Sequence, residues 1–169
     1  MSELLEKILF LQKVDMFEHL TVSELSKIAQ ITETDHYNDE EFLFRQGDPG
    51  NYAYIVVSGE VEIFFDARGE ELRALGTVGE GACFGEMALL DGEPRSAGAR
   101  TTSECILSRI SRNDFIHIMY QYPAIALGII TQLSRRIRGM NDKVGRLSKV
   151  VSGFVELYEE GRSVLEREL

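Results

Sequence analysis

Residues 84 to 97 read Phe-Gly-Glu-Met-Ala-Leu-Leu-Asp-Gly-Glu-Pro-Arg-Ser-Ala. These residue types, in this order, can hold one small anion beside one sugar. Gly85 lets the backbone come close to a ligand and accepts dihedrals that other residues avoid. Glu86 to Leu90 favour a short helix, whose first amides have no internal partner and point outward as donors. Glu86 stands at that start, where a carboxylate is favourable; it is a poor phosphate ligand but a good acceptor for a sugar hydroxyl. Arg95 follows just behind Pro94, and its planar fork suits two oxygens of one phosphate. Ser96 adds a hydroxyl donor. Taken singly, Arg95 could pair with Asp91, Glu93 or Glu86, and Ser96 could be a turn residue; the ordered string favours a ligand.

Such a string needs rigid elements around it. From Glu41 to Ile110 the chain shows short strand-like runs separated by glycine or charged turns. Tyr52–Val57 is one run, Val61–Phe65 a second and Leu72–Val78 a third, with Asp66–Glu71 as a polar turn between the last two. Ala97–Thr101 and Cys105–Ile110 follow the anion-binding string. Many short strands with regular turns predict a sandwich or small jelly roll. On the amino-terminal side, Leu4, Leu5, Ile8, Leu9 and Leu11 have helical spacing. Thr21-Val-Ser-Glu24 is a capping box that should open a helix running to about Ala29. Thr32 to Glu41 is polar and acidic. Ser111-Arg-Asn-Asp114 caps another helix, and Pro123 suits the first position of the next. The organisation expected is one domain over residues 1–169: N-terminal helices over 1–40, the β core over 41–110, and C-terminal helices over 111–169.

The last helix carries a pattern of its own. Ile130, Leu133, Ile137, Met140, Val144, Leu147, Val151, Phe154 and Tyr158 fall at steps of three and four. The set Ile130, Ile137, Val144 and Val151 is β-branched throughout, which suits the a positions of a parallel two-stranded coiled coil. The spacing predicts a homodimer through residues 123–158. After Leu147 the apolar stripe widens, so this part could also fold onto its own domain or meet another protein.

Phe84-Gly85-Glu86-Met87-Ala88-Leu89 with Pro94-Arg95-Ser96-Ala97 resembles the phosphate-binding cassette of cyclic nucleotide-binding domains, the effector domains found in catabolite activator proteins and protein kinase A regulatory subunits. Phe44-Arg45-Gln46-Gly47-Asp48-Pro49-Gly50, and Tyr54 to Val61, are similar to the strands that precede that cassette; Met16 to Thr21 resembles its leading helix. The resemblance covers roughly residues 10 to 147 and implies an eight-stranded jelly roll flanked by helices. It implies that Glu86 takes a ribose 2′-hydroxyl, and that Arg95 takes a cyclic phosphate with Ser96 and the amides near Gly85 and Ala88. Val61, Val78, Cys83 and Met87 would line the apolar wall. Arg135 to Gly145 resembles the helix that closes the family's pocket, which makes Arg136 and Asn141 candidates to reach the purine; Met140 stands where a small hydroxyl residue is usual. Ser96, rather than threonine, leans toward cyclic AMP, with cyclic GMP the near alternative. A dimerisation or docking domain that no longer responds to nucleotide is the other reading kept open.

Composition narrows the classes further. The 169 residues carry a formal net charge of −10, which disfavours nucleic acid as a partner of the whole surface. Arg135, Arg136, Arg138, Lys143, Arg146 and Lys149 form a basic run that reads as a solvated helix face. No apolar run approaches the roughly 18 residues of a membrane span, and the acidic, amphipathic start is unlike a signal peptide. Cys83 and Cys105 have no metal spacing and are expected to be reduced in a cytoplasmic protein. His19, His36 and His117 are scattered, which argues against a metal-dependent β-barrel enzyme. The expectation is a non-enzymatic regulatory module without cofactor or metal. It would act through an effector protein that these residues do not identify.

Overall fold

The computed structural model describes residues 3–66 and 72–165. The chain opens with α1 (Glu3–Leu11), a 3-10 turn at Asp15–Phe17 and α2 (Val22–Ile31). Strands β1 (Thr32–Tyr37), β2 (Phe42–Phe44), β3 (Tyr52–Ser58), β4 (Val61–Phe65), β5 (Arg73–Val78) and β6 (Cys83–Phe84) follow. The short α3 (Glu86–Asp91) leads to β7 (Gly98–Thr101) and β8 (Cys105–Ser111), and then to α4 (Arg112–Gln121) and α5 (Pro123–Leu165). The described strands form two antiparallel four-stranded sheets, ordered β1-β8-β3-β6 and β2-β7-β4-β5. This is the jelly-roll architecture expected. Of the polar turn expected at Asp66–Glu71, all but Asp66 lies outside the described residues.

Local chemistry explains the helix ends. Thr21 caps α2 by accepting from the Glu24 amide, while the Glu24 carboxylate accepts from the Thr21 amide. Ser111 caps α4 through the Asp114 amide. Proline opens α5, where its missing N–H costs nothing.

One boundary differs from expectation. Residues 32–37 form β1 in the sheet rather than part of an N-terminal helical region. The segment Thr-Glu-Thr-Asp-His-Tyr is polar because it is an edge strand, paired on one side only with β8. Charge on an edge guards against pairing with other chains. Glu33 here receives both Nε and Nη2 of Arg109, its cross-strand partner, at 3.0 and 2.9 Å.

The sheets are joined by a cluster of Tyr54, Val56, Val61, Phe84, Ala99, Cys105 and Leu107. Side chains alternate across a strand. Since Tyr54 and Val56 enter this cluster, Ala53 and Ile55 face away from it, and all four are buried. Strand β3 is therefore covered on both faces; α1 packs on α2, α2 on α4 and α4 on β8. Cys83 and Cys105 are both free thiols; β6 and β8 lie on opposite sides of β3, so the two never become neighbours.

The chain divides into two compact units, residues 1–129 and 130–169. The first turns of α5 belong to the first unit, with Ile125 and Ile129 fully buried. The second unit is helical as far as Leu165, running through Gly139, Gly145 and Gly153 without a break. Ile130, Ile137, Met140, Val144, Leu147, Val151, Phe154 and Tyr158 are each more than half exposed on it. Among the described residues no helix is long and apolar enough to cross a membrane.

A single close approach fixes α3 against the β2–β3 loop. A Cβ on Gly50 would lie 2.1 Å from the Ala88 Cβ, so only glycine fits beneath the helix. Gly50→Ala should destabilise the fold by about 1–3 kcal/mol through overpacking, read as a lower denaturant midpoint with an unchanged slope.

Candidate functional site

The segment that carries the predicted ligand groups is held at both ends by backbone geometry. Strand β6 ends at Phe84, and Gly85, at φ +73°, turns the chain into α3. A second left-handed glycine, Gly92, closes α3 by donating to the Ala88 carbonyl at 3.1 Å. The return segment is then tied to the β2–β3 loop by a reciprocal pair: the Gly47 amide donates to the Arg95 carbonyl at 2.8 Å, and the Arg95 amide to the Asp48 carbonyl at 2.9 Å. Backbone bonds thus set where Arg95 starts, before its side chain makes any contact.

That side chain is buried, with 5% of its surface exposed. Nη1 donates to the Gly85 carbonyl at 2.7 Å and Nη2 to the Tyr52 carbonyl at 2.6 Å. The guanidinium carbon lies 4.0 Å from the centre of the Phe44 ring. Nε is buried without a hydrogen-bond partner. The two described side-chain hydrogen bonds of Arg95 both go to main-chain carbonyls. Burial pulls the Arg95 pKa below the ordinary arginine value, while Tyr54, Asp48 and Glu86 oppose that shift through their negative charge. A Cβ on Gly85 would sit 2.5 Å from Nη1, so glycine is needed there for space as well as for its dihedrals.

Several expected site residues come together around this arginine. Gly85 touches it directly, and Glu86 is buried at the first position of α3. Ala88 is buried one turn on, against Gly50. Ser96 is exposed beside Arg95. Val61 and Val78 face each other across β4 and β5 and join the inter-sheet cluster.

Other expected residues do not. The register pairs Cys83 with Ile55 and Phe84 with Tyr54. By strand alternation Phe84, not Cys83, shares the inter-sheet face, and its ring stacks on Tyr54 at 5.4 Å. Met87 is 54% exposed and joins no part of the cluster, because it falls on the outward side of a single helical turn. Arg136 and Asn141 belong to the second unit of the chain.

The aromatic lining was not anticipated. Phe44, Tyr54 and Phe84 form a contiguous group, with Phe44 at 5.8 Å from Tyr54 and 6.1 Å from Phe84. Tyr52 contributes its carbonyl to Arg95 and its ring to Arg109, 4.9 Å away. Alternation along Tyr52-Ala-Tyr54 was the available signal, since aromatic residues two apart share a face. A cavity of about 480 Å³ borders the same loops, but it is lined by Pro49, Glu93, Pro94 and Arg112; the Arg95 guanidinium is enclosed. No group of acids, histidines and cysteines suited to a metal occurs among the described residues.

The fold is thus a β-sandwich that buries a guanidinium, seated on two carbonyls, beside a short helix entered through a left-handed glycine. Its family follows from likeness to known proteins. The cyclic nucleotide-binding domain profile matches residues 34–122. The cyclic AMP receptor protein of Thermus thermophilus is 32% identical over 152 residues, covering 86% of this chain and 70% of that protein. A cAMP-dependent protein kinase regulatory subunit from Emericella nidulans is 33% identical over 110 residues, which is 65% of this chain and 26% of the subunit. Among solved structures, the Thermus thermophilus catabolite activator protein superposes with a TM-score of 0.71 at 31% identity, covering 79% of this chain and 63% of that one. The chain belongs to the cyclic nucleotide-binding domain family.

Tyrosine ionisation offers a test of the buried polar geometry. Burial, with Tyr54 and the Asp35 carboxylate nearby, pushes the Tyr37 phenol up to about 12. The unfolded chain releases this proton near pH 10, while the folded chain holds it until about pH 12. Proton release therefore favours unfolding across that window, and stability falls as pH rises through it. Absorbance at 295 nm should show a late-titrating phenol that Tyr37→Phe removes, with a smaller alkaline loss of stability in the variant.

Proposed function

We propose that this chain is a cyclic AMP-binding regulatory module rather than an enzyme. The observation that carries the reading is the buried Arg95 guanidinium, seated on two main-chain carbonyls and an aromatic ring. Burying a charge is costly, and a cyclic phosphate supplies a counter-ion. In this reading the phosphate meets Arg95, Ser96 and the amides near Gly85 and Ala88, while Glu86 accepts from the ribose 2′-hydroxyl. Val61, Val78 and Phe84 line the apolar side. The names of the bacterial receptor and the kinase subunit support cyclic AMP, as does Ser96; cyclic GMP is the alternative, since a cGMP-dependent protein kinase of Caenorhabditis briggsae is 38% identical over 89 residues. Arg136 and Asn141 would reach the base when α5 closes over it. Closure transmits a signal only if the nucleotide binds the closed arrangement more tightly than the open one; equal affinity for both would shift nothing.

The second unit supports a parallel homodimer, whose seam is the exposed row built on Ile130, Ile137, Val144 and Val151. An effector protein would then read the dimer, because a net charge of −10 opposes nucleic acid as a direct partner.

Calorimetry with cyclic AMP tests the first part. Arg95→Ala should weaken binding by about 10- to 150-fold, the cost of losing a charged hydrogen-bond partner, and equal affinity of the two proteins would overturn the assignment. Cyclic GMP in competition should displace cyclic AMP only at higher concentration. For the dimer, sedimentation equilibrium of Val144→Glu should show monomer where the wild type shows dimer. A wild type that stays monomeric would remove the seam from the reading.

A further inference from the structure

Arg95 has five N–H hydrogens, of which one on Nη1 and one on Nη2 reach main-chain carbonyls. The Nε–H, buried without an acceptor, and one hydrogen on each Nη remain for a ligand. Carbonyls at two corners limit rotation within the plane, but they leave the guanidinium able to tip out of it. Tipping matters because a guanidinium that left this plane would present a different set of donors to an incoming anion. The Phe44 ring lies against the guanidinium face, with its centre 4.0 Å from the guanidinium carbon. That ring is itself braced against Tyr54 and Phe84. It is brought there by β2, which pairs with β7 through Phe44 and Ala99, a few residues beyond Arg95.

We propose that Phe44 is a positioning residue for the anion site: its ring fixes the plane of the Arg95 guanidinium by cation–π contact, so that the N–H groups not bound to carbonyls keep one orientation. The assignment rests on the reading of Arg95 as the phosphate ligand, but the geometry it describes exists whether or not a nucleotide binds. Aromaticity, rather than bulk, is the property required. Leucine at 44 would keep an apolar side chain in the inter-sheet space and lose the ring's negative face; tyrosine and tryptophan would keep that face.

The test uses the full chain and two readouts. In nucleotide-free protein, the Arg95 Nε–Hε resonance, assigned by its loss in Arg95→Lys, should be shifted upfield by the ring. Phe44→Leu should return it to the position of the other arginines, whereas Phe44→Tyr or Phe44→Trp should hold it. In calorimetry with cyclic AMP, Phe44→Leu should weaken binding by about 2- to 30-fold, the range of a cation–π contact from exposed to desolvated. The aromatic variants should stay close to wild type, and Phe44→Leu should have no further effect in an Arg95→Ala background. The proposal is overturned if Phe44→Leu leaves the resonance in place, if it tightens binding, or if all three variants weaken binding alike, which would mark mere packing. Should wild type bind neither cyclic AMP nor cyclic GMP, the functional reading falls, and the Nε–Hε spectra alone decide the role of Phe44.

Discussion

A guanidinium held away from water dominates this molecule. Removing a charge from water is expensive, and the sandwich offsets that expense with two main-chain carbonyls and an aromatic face. Each of those groups depends on a different element. Gly85 comes from the β6–α3 turn, Tyr52 from the start of β3 and Phe44 from β2, and the backbone of Arg95 is tied to the loop between β2 and β3. Both sheets must be in register before the site exists. Placement of Arg95 is therefore a readout of the whole sandwich.

This arrangement reconciles two facts that pull against each other. The protein is acidic overall, yet its family binds anionic nucleotides. A buried cation acts at short range in a low-dielectric setting, where surface charge further away is screened within about 10 Å at ordinary salt. Local geometry can therefore outweigh net charge. Asp48 and Glu86 act on the arginine electrostatically, opposing the effect of its burial.

The family match and the exposed helical row fall in different units of the chain. The matched family region ends at residue 122, inside the first unit. Beyond residue 129 the described chain is helical, with an exposed β-branched row repeated every seven residues. An isolated helix of this kind gains little from propensity alone, so burial of that row against another surface is the natural source of its stability. Coupling the two units requires that the nucleotide distinguish between positions of α5.

Much of this protein is written locally. The capping box at Thr21, the Ser111 cap, Pro123 at the head of α5, the glycine turn at Gly85 and the heptad row after Ile129 depend on residues within a few positions of one another. Short-range chemistry was enough to place them, and the order Gly-Glu-…-Pro-Arg-Ser pointed to an anion site for the same reason. Tertiary structure decided the rest. Strand β1 reads as part of the N-terminal helical region because its described partner, β8, lies roughly seventy residues further along the chain. Phe84 replaced Cys83 on the inner face because the register with β3, not the local string, determines which of two neighbours points inward. The ring under Arg95 comes from Phe44, on a strand of the other sheet. Contacts between residues distant in sequence are fixed by pairing and packing, and no spacing along the chain encodes them.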